Sequence, residues 1–386
     1  MIQIIKPMLT AMKSFQIGRP QVLAGMMLLA FLAQCIWVAS SRKFSELEYQ
    51  YIGAGLPKKP GMEYRVTSPL TSWLAAAPFR LARQASGATL TQSLLIPRPW
   101  LVRLPFVVFG VWLGAAVWWV ARRLFDDAGG YVALGLYCSS PAMVMISSNI
   151  GPEIILAWSG FGLIYTAIGV AHTLLAPPKK WMPRILLLGL AIGFSLSAQL
   201  WSFTVVLLAL AFMIYLAPGR RREVLLVSGA ATAIGFAVYT FFTVVTGGQW
   251  IPIQNVLQPH LTRELFQTLN FAFADGFLKP NSYLFVALFI AALTAYGSWP
   301  RARYFGNTAP LLTAFIVVLL FALVPGSYVW NATLGLSFVF LFIGGIAADL
   351  LETATFRSVI LILPAGLLLR AVLCIWALRD WLSKPL

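Results

Sequence analysis

The chain has 386 residues, of which 60% are hydrophobic and 10% are charged. A water-soluble domain carries about 25% charged residues, so this composition excludes a soluble protein and indicates an integral membrane protein. The 28 Lys and Arg residues outnumber the 12 Asp and Glu residues, which leaves a formal net charge of +16. On a membrane chain this excess indicates basic loops and contacts with membrane lipids, and no nucleic-acid partner is predicted.

Apolar runs along the chain predict about 11 transmembrane helices, because a spanning helix needs roughly 20 apolar residues. The sequence therefore predicts an all-α polytopic membrane protein, with residues 1–386 forming a single transmembrane domain. The predicted spans cover residues 21–39, 104–121, 129–147, 154–176, 185–201, 203–217, 224–246, 282–298, 308–325, 331–347 and 358–378.

Basic residues in the short loops give the predicted orientation, because such loops collect on the cytoplasmic side. They fall in alternate loops, on the same side as the basic N-terminal tail, so the N-terminus is predicted to be cytoplasmic. Two long loops, 40–103 and 247–281, then lie outside, where catalytic or binding residues are expected. The basic loop residues are Arg122, Arg123, Lys179, Lys180, Arg184, Arg220, Arg221, Arg222, Arg301 and Arg303.

The acidic residues are few enough to be sorted one by one. None falls deep in a predicted span, which argues against a proton- or sodium-coupled carrier, since such carriers use carboxylates within the membrane. Any carboxylate chemistry is therefore expected at the outer face. The acids predicted to lie outside are Glu46, Glu48, Glu63, Glu153, Glu264, Asp275 and Asp380.

The first outer loop contains two amphipathic segments that predict interfacial helices. In the first, residues 45–56, the helical period places Glu46, Tyr49 and Gln50 on one face, with Glu46 turned toward a cleft. The second runs from Ser68 to Arg83 and offers Arg80 to lipid phosphates. Charge balance at a headgroup surface is an equally good explanation of that arginine.

The order of motifs in the first 170 residues resembles a known family. An acidic helix follows the first span, a Pro-Leu-x-x-Trp-Leu segment begins at Pro69, and Arg103-Leu104-Pro105 opens the second span. Ser139 to Pro141 and the stretch Asn149 to Trp158 continue the likeness. Together they resemble the GT-C glycosyltransferases related to protein O-mannosyltransferases and lipid A aminoarabinose transferases. The resemblance implies a GT-C-like helical bundle.

The resemblance also implies an enzyme that transfers a sugar from a polyprenyl-phosphate donor to a lipid, glycan or protein acceptor, at the periplasmic or extracellular face of an inner (plasma) membrane. The family has an Asp-Glu pair in its first loop, and matching Tyr49 and Ile52 places Ser45 at the Asp and Glu46 at the Glu. Glu46 is therefore the expected catalytic base, with Glu48 as the alternative. Glu153 stands where the family has another acid. An inverting reaction needs one base.

Such a transferase also needs cations for the departing phosphate and groups that hold the sugar. The candidate substrate-binding residues are Tyr49, Gln50 and Trp250. For Arg370, within the last predicted span, the alternative to phosphate binding is that the side chain extends to the membrane interface. For the second outer loop, the alternative is an interfacial helix that binds no ligand. The candidate phosphate-binding residues are Arg370, Arg65, Arg80, His260, Arg263 and Lys279.

No metal site is predicted, because the two histidines lie on opposite sides of the membrane and the cysteines do not cluster. A Mg²⁺ or Mn²⁺ ion held by Glu46 and Glu153 stays an open alternative. Two other functions also stay open. Ser45 in place of an Asp favours a non-catalytic relative that binds a lipid-linked glycan or acts as a scaffold. A flippase or transporter for a lipid-linked sugar is the third, disfavoured by the lack of acids within the spans.

Overall fold

The computed structural model describes residues 19–56, 68–86, 98–174, 181–246, 261–273, 279–321, 328–353 and 357–383. All regular elements in these ranges are helices, which confirms the predicted all-α class. In chain order they are α1 (Arg19–Ser41), α2 (Glu46–Gly55), α3 (Pro69–Ser86), α4 (Pro99–Cys138), α5 (Pro141–Ser147), α6 (Pro152–Thr173), α7 (Met182–Ala198), α8 (Phe203–Leu216), α9 (Arg221–Val245), α10 (Leu261–Phe273), α11 (Lys279–Ser298), α12 (Phe305–Phe321), α13 (Tyr328–Thr353) and α14 (Arg357–Ser383).

The apolar helices overlap the predicted spans, except that the predicted span 129–147 is divided between the end of α4 and α5 by a break at Ser139 and Ser140. Within the described ranges, six helices are long and apolar enough to cross a membrane, namely α1, α4, α6, α9, α13 and α14. The helices α7, α8, α11 and α12 are apolar but shorter. The predicted number of about eleven spans stays a prediction. So does the assignment of 40–103 and 247–281 to the outer side.

Helix α4 is a hairpin. Asp126 leaves the helical region with φ of 59° and ψ of −169°, and the hydroxyl of Tyr137 donates a hydrogen bond of 2.6 Å to the carbonyl of Gly110. A straight helix would separate two residues that far apart in sequence by roughly 40 Å, at about 1.5 Å per residue. The chain therefore reverses near Asp126, at the turn predicted between spans 104–121 and 129–147.

Helix α13 forms the centre of the bundle and packs against the hairpin of α4. Its phenylalanines Phe338, Phe340 and Phe342 are fully buried. Close contact is possible because glycines meet at the crossing: a Cβ atom on Gly344 would lie 2.8 Å from the carbonyl oxygen of Gly129. Apolar surface shared between these helices stabilises the core at about 25 cal/mol per Å² removed from solvent.

The two helices predicted in the first outer loop are present and pack against each other. Gly55, at the end of α2, lies so close to the backbone of Ser72 in α3 that a Cβ atom would overlap it. The guanidinium of Arg80 in α3 donates a hydrogen bond to the carbonyl of Gly55. A cation at a helix C-terminus also interacts favourably with the helix dipole. Helix α3 thus fixes the position of α2, which begins at the candidate site.

Candidate active site

A cavity of about 180 Å³ lies where the chain leaves α1 and enters α2, opposite the start of α6. Three cationic side chains and two carboxylates line it: Arg42, Lys43, Arg103, Glu48 and Glu153. The first two stand in the connection between α1 and α2, and Glu48 lies in the first turn of α2. The start of the predicted first outer loop therefore brings charge of both signs to one cavity.

Glu48 and Arg103 form a buried, bidentate ion pair. The Arg103 Nε–Glu48 Oε1 distance is 2.8 Å and the Nη2–Oε2 distance is 2.7 Å, with side chains only 5% and 1% exposed for Glu48 and Arg103. The guanidinium also donates to the carbonyls of Ala39, Arg42 and Lys43 at 2.8, 2.8 and 2.9 Å. All five N–H donors of Arg103 are therefore used, and the pair fixes the chain that joins α1 to α2.

The carboxylate of Glu48 has further partners in the backbone. Its Oε1 accepts a hydrogen bond of 3.0 Å from the N–H of Ile150, and its Oε2 accepts one of 2.8 Å from Ser45. Ser45 Oγ in turn accepts from the N–H of Glu48, which completes a capping box at the start of α2. Burial acts to raise the pKa of Glu48, but the contacts with Arg103 and these two N–H groups lower it below its usual value.

Glu153 is placed differently, in the first turn of α6 just after Pro152. Its partly buried side chain lines the cavity and folds back over Gly151, where a Cβ atom would overlap Oε2. Within the described part of the chain, no Lys, Arg or His pairs with it. The free N–H groups and the dipole of the α6 N-terminus stabilise a carboxylate there. Glu153 is thus a carboxylate that faces the cavity without a cationic partner in the described ranges.

Tyr51 lies close to this carboxylate. Burial raises the pKa of the Tyr51 phenol above its usual value, and the charge of Glu153 raises it further. The phenol therefore keeps its proton at neutral pH and stays a hydrogen-bond donor. The sequence pattern alone gave no indication of a role for Tyr51.

The face of α2 that turns inward differs from the predicted one. Glu48, Tyr51 and Ile52 are buried, whereas Glu46 and Tyr49 are exposed and Gln50 is partly exposed. Glu46 does not line the cavity. The capping box and the Arg103 ion pair explain the difference: both draw Glu48 inward, and a residue two positions away on a helix points in nearly the opposite direction.

The predicted phosphate-binding residues that the structure describes lie away from the cavity lining. Arg370 is fully buried, 3.1 Å from Ser139 Oγ through its Nε and 4.8 Å from the centre of the Phe285 ring. Arg80 donates to the carbonyl at the end of α2. Arg263 is exposed on α10.

The structure does not describe the side chains of the other predicted site residues. Arg65, Trp250 and His260 lie outside the described residues, as does the side chain of Lys279 at the start of α11. Among the described residues, no group of three or more His, Cys, Asp and Glu side chains is placed to hold a metal ion.

Comparisons with known proteins agree with this fold. The sequence model of the family described as dolichyl-phosphate-mannose-protein mannosyltransferase matches residues 67–246. The apo crystal structure of ArnT from Cupriavidus metallidurans superposes with a TM-score of 0.60 at 12% identity, over 88% of this chain and 62% of that one. The two matches support a relationship with the GT-C superfamily, with a family match over a little under half of the chain and a shared fold. This confirms the predicted resemblance and the GT-C-like bundle.

A second crystal structure of that ArnT, bound to undecaprenyl phosphate, matches this chain with a TM-score of 0.58 at 13% identity. The match covers 83% of this chain and 59% of that one, so the chain spans about three fifths of the length of that ArnT. Among curated protein sequences, none matches the chain significantly.

Proposed function

We propose that this chain is a membrane glycosyltransferase of the GT-C type that moves a sugar from a polyprenyl-phosphate donor to an acceptor hydroxyl, with Glu153 as the base. One observation carries the proposal: the cavity holds a carboxylate with no cationic partner among the described residues, beside a second carboxylate that is held by four hydrogen bonds. The GT-C fold and the family match support the reaction class. The ArnT structure with undecaprenyl phosphate supports the donor class.

The proposed reaction is a single displacement. The acceptor hydroxyl attacks the anomeric carbon of the sugar, its proton passes to Glu153, and the bond between the anomeric carbon and the phosphate oxygen breaks, so that the polyprenyl phosphate leaves. Configuration at the anomeric carbon inverts, and one base is sufficient. Because the cavity opens beside the start of the predicted outer loop, we place the reaction at the outer face of the inner (plasma) membrane. The acceptor is a lipid, a glycan or a protein.

Glu48 acts in this proposal by positioning other groups. A base must give up contacts on its carboxylate to receive a proton, and both oxygens of Glu48 accept hydrogen bonds from Arg103 and from backbone N–H groups. Protonation of Glu48 would leave the buried Arg103 without its counter-charge, which is costly. Glu46, the base expected from the sequence, is exposed and outside the cavity lining, so we assign it no step.

The test is transfer by the purified full chain in liposomes, with a polyprenyl-phosphate-linked radiolabelled sugar and separate lipid, glycan and peptide acceptors. We expect label to reach one acceptor class and free polyprenyl phosphate to appear in equal amount. Absence of transfer in every acceptor arm, from a protein that is folded and binds the donor, would contradict the proposal.

A non-catalytic relative that binds a lipid-linked glycan is the second candidate. The observation that favours it is the α2 edge of the cavity, where Ser45 and the exposed Leu47 stand beside the locked Glu48 and offer no free acid. Donor binding without release of polyprenyl phosphate is the result this candidate predicts in the same experiment.

Gly151 provides a test of the Glu153 carboxylate that leaves its chemistry in place. In Gly151→Ala, the new Cβ atom occupies the place of Glu153 Oε2, so the flexible side chain must turn away. Gly151 has φ of −167°, which alanine adopts freely. We therefore expect at least a tenfold fall in kcat, while the free energy of unfolding changes by about 1 kcal/mol or less.

Gly162→Ala, within α6, is the control, because a Cβ atom at Gly162 meets nothing within 4 Å. Both variants are compared by initial rates of transfer and by thermal unfolding in detergent. Wild-type transfer by Gly151→Ala would contradict the assigned position of the carboxylate.

A further inference from the structure

The charges that line the cavity do not balance once the buried ion pair is set aside. Glu48 and Arg103 neutralise each other at 2.7 Å. The charged lining residues that remain are Arg42 and Lys43 against Glu153. Two cations thus face one carboxylate, and a cavity with excess positive charge attracts an anionic ligand.

Arg42 is held in an unusual way. The Cζ atom of its guanidinium lies 3.8 Å from the centre of the Trp381 ring, near the end of α14. Stacking uses the face of the guanidinium and leaves its N–H donors free in the plane. No described side chain or backbone carbonyl accepts a hydrogen bond from that guanidinium, in contrast to Arg103, which uses all its donors.

The backbone of Arg42 and Lys43 is also fixed. The carbonyls of Arg42 and Lys43 both accept hydrogen bonds from Arg103, so the backbone that carries both cations cannot rotate freely. A planar guanidinium with free in-plane donors matches two oxygens of a phosphate, and a flexible ammonium beside it adds a point charge. Burial and the charge of Arg103 lower the pKa of Arg42, although Glu48 opposes them. An anion beside Arg42 would stabilise its charged form.

We propose that Arg42, held against the Trp381 ring, binds the phosphate of the polyprenyl-phosphate donor through a bidentate contact, with Lys43 as a second cation. This inference rests on the proposed function and adds to it the residues that hold the leaving group. The arrangement brings the phosphate to the cavity that Glu153 lines. It also makes the end of the last helix a part of the donor site, through a contact between residues at opposite ends of the chain.

Binding to the full chain in nanodiscs tests the proposal without turnover. The probes are undecaprenyl phosphate, undecaprenol as the same lipid without phosphate, and inorganic phosphate as competitor. We expect Arg42→Gln to lower the affinity for undecaprenyl phosphate about 10- to 100-fold, the usual range for lost charge-assisted hydrogen bonds. The affinity for undecaprenol should not change. Arg42→Lys should lose most of the same affinity, because an ammonium cannot form the bidentate contact.

Two more variants complete the series. Trp381→Leu should weaken the binding of undecaprenyl phosphate less than Arg42→Gln does, because the cation remains but no longer packs against the ring. Arg123→Gln is the matched control, since Arg123 is exposed on α4 and is not among the residues that line the cavity. Melting temperatures within a few degrees of the wild type confirm that each variant is folded.

Three results would overturn the inference. These are wild-type affinity for undecaprenyl phosphate in Arg42→Gln, an equal loss of affinity for undecaprenol, and displacement of the lipid by inorganic phosphate at the concentration at which the lipid itself binds. Failure of the inference is distinguishable from failure of the proposed function. If the wild type transfers sugar and Arg42→Gln binds undecaprenyl phosphate with wild-type affinity, only the inference is contradicted. Arg42-dependent binding without transfer removes the proposed function alone.

Discussion

Replacing Glu153 with Gln is expected to lower kcat for sugar transfer about 10²- to 10⁴-fold, the usual contribution of a general base. The amide keeps the size of the side chain and its place at the start of α6 but cannot accept a proton. Stability should change little. The variant loses about 0.3–1 kcal/mol of interaction with the helix dipole. This loss is offset because the variant avoids the desolvation cost of a charge that has no cationic partner among the described residues.

The shape of the pH profile distinguishes a base from a residue that merely shapes the cavity. Activity of the wild type should rise with pH as the base loses its proton, and this acid limb of kcat/KM should be missing from the residual activity of Glu153→Gln. Glu153→Asp, one methylene shorter, should retain part of the rate and the acid limb. Glu46→Gln is the control and should transfer at the wild-type rate, because Glu46 is exposed and outside the cavity lining.

An inactive Glu46→Gln together with an active Glu153→Gln would reverse the assignment and restore the base expected from the sequence. An inactive Glu48→Gln would not change the assignment of the base. Glu48 holds the chain around Ser45 and the connection to Ile150, so its loss is expected to move the cavity walls. Such a loss would appear together with a fall in stability, whereas the loss in Glu153→Gln would not.

The helical architecture was predictable because it depends on local properties of the chain. Runs of apolar residues near 20 in length define helices in a membrane, where the backbone must satisfy its own hydrogen bonds. Arg122 and Arg123 marked the turn at which α4 reverses. The two helices of the first outer loop were predicted from their amphipathic period.

The arrangement of the site was less predictable, because its decisive contacts join distant residues. Glu153 was predicted as a site residue from its place in a motif, and the structure places it in the cavity lining. The partnership of Glu48 with Arg103 was not predicted, although Ser45-x-x-Glu48 is a capping-box pattern that already ties Glu48 to its own helix start. An arginine just before an apolar run looks like an ordinary interfacial residue. Nothing local indicates that Arg42 stacks on Trp381, since that contact depends on the path of the whole bundle.

Removal of Arg103 is expected to have the largest effect on stability. In Arg103→Met, Glu48 stays buried without its counter-charge and the carbonyls of Ala39, Arg42 and Lys43 lose a donor. Breaking a buried ion pair on one side typically costs about 3–5 kcal/mol, and we expect a loss of that size in the free energy of unfolding in mixed micelles. The stability of Arg103→Lys should lie between those of the wild type and Arg103→Met, because an ammonium has three N–H donors where the guanidinium uses five.

The same substitution at Arg123, exposed on α4, is the matched control and should cost about 0.5 kcal/mol or less. A loss in Arg103→Met as small as that control would show that the pair does not hold the connection between α1 and α2. The double variant Glu48→Gln with Arg103→Met should lose less than the sum of the two single variants, since no unpaired charge is left in the interior.

The pH dependence of stability gives an independent check on the pair. Because the pKa of Glu48 is lowered in the folded protein, the unfolded chain binds the proton more readily than the native state does. The stability that the carboxylate contributes is therefore complete above the unfolded pKa of about 4.3 and is lost as the pH falls through the lower, native value. Glu48→Gln should remove that part of the acid sensitivity, so the difference in unfolding free energy between wild type and Glu48→Gln should shrink below about pH 4. A difference that stays constant with pH would mean that the charge of Glu48 does not stabilise the fold, and that its hydrogen bonds alone hold the connection between α1 and α2.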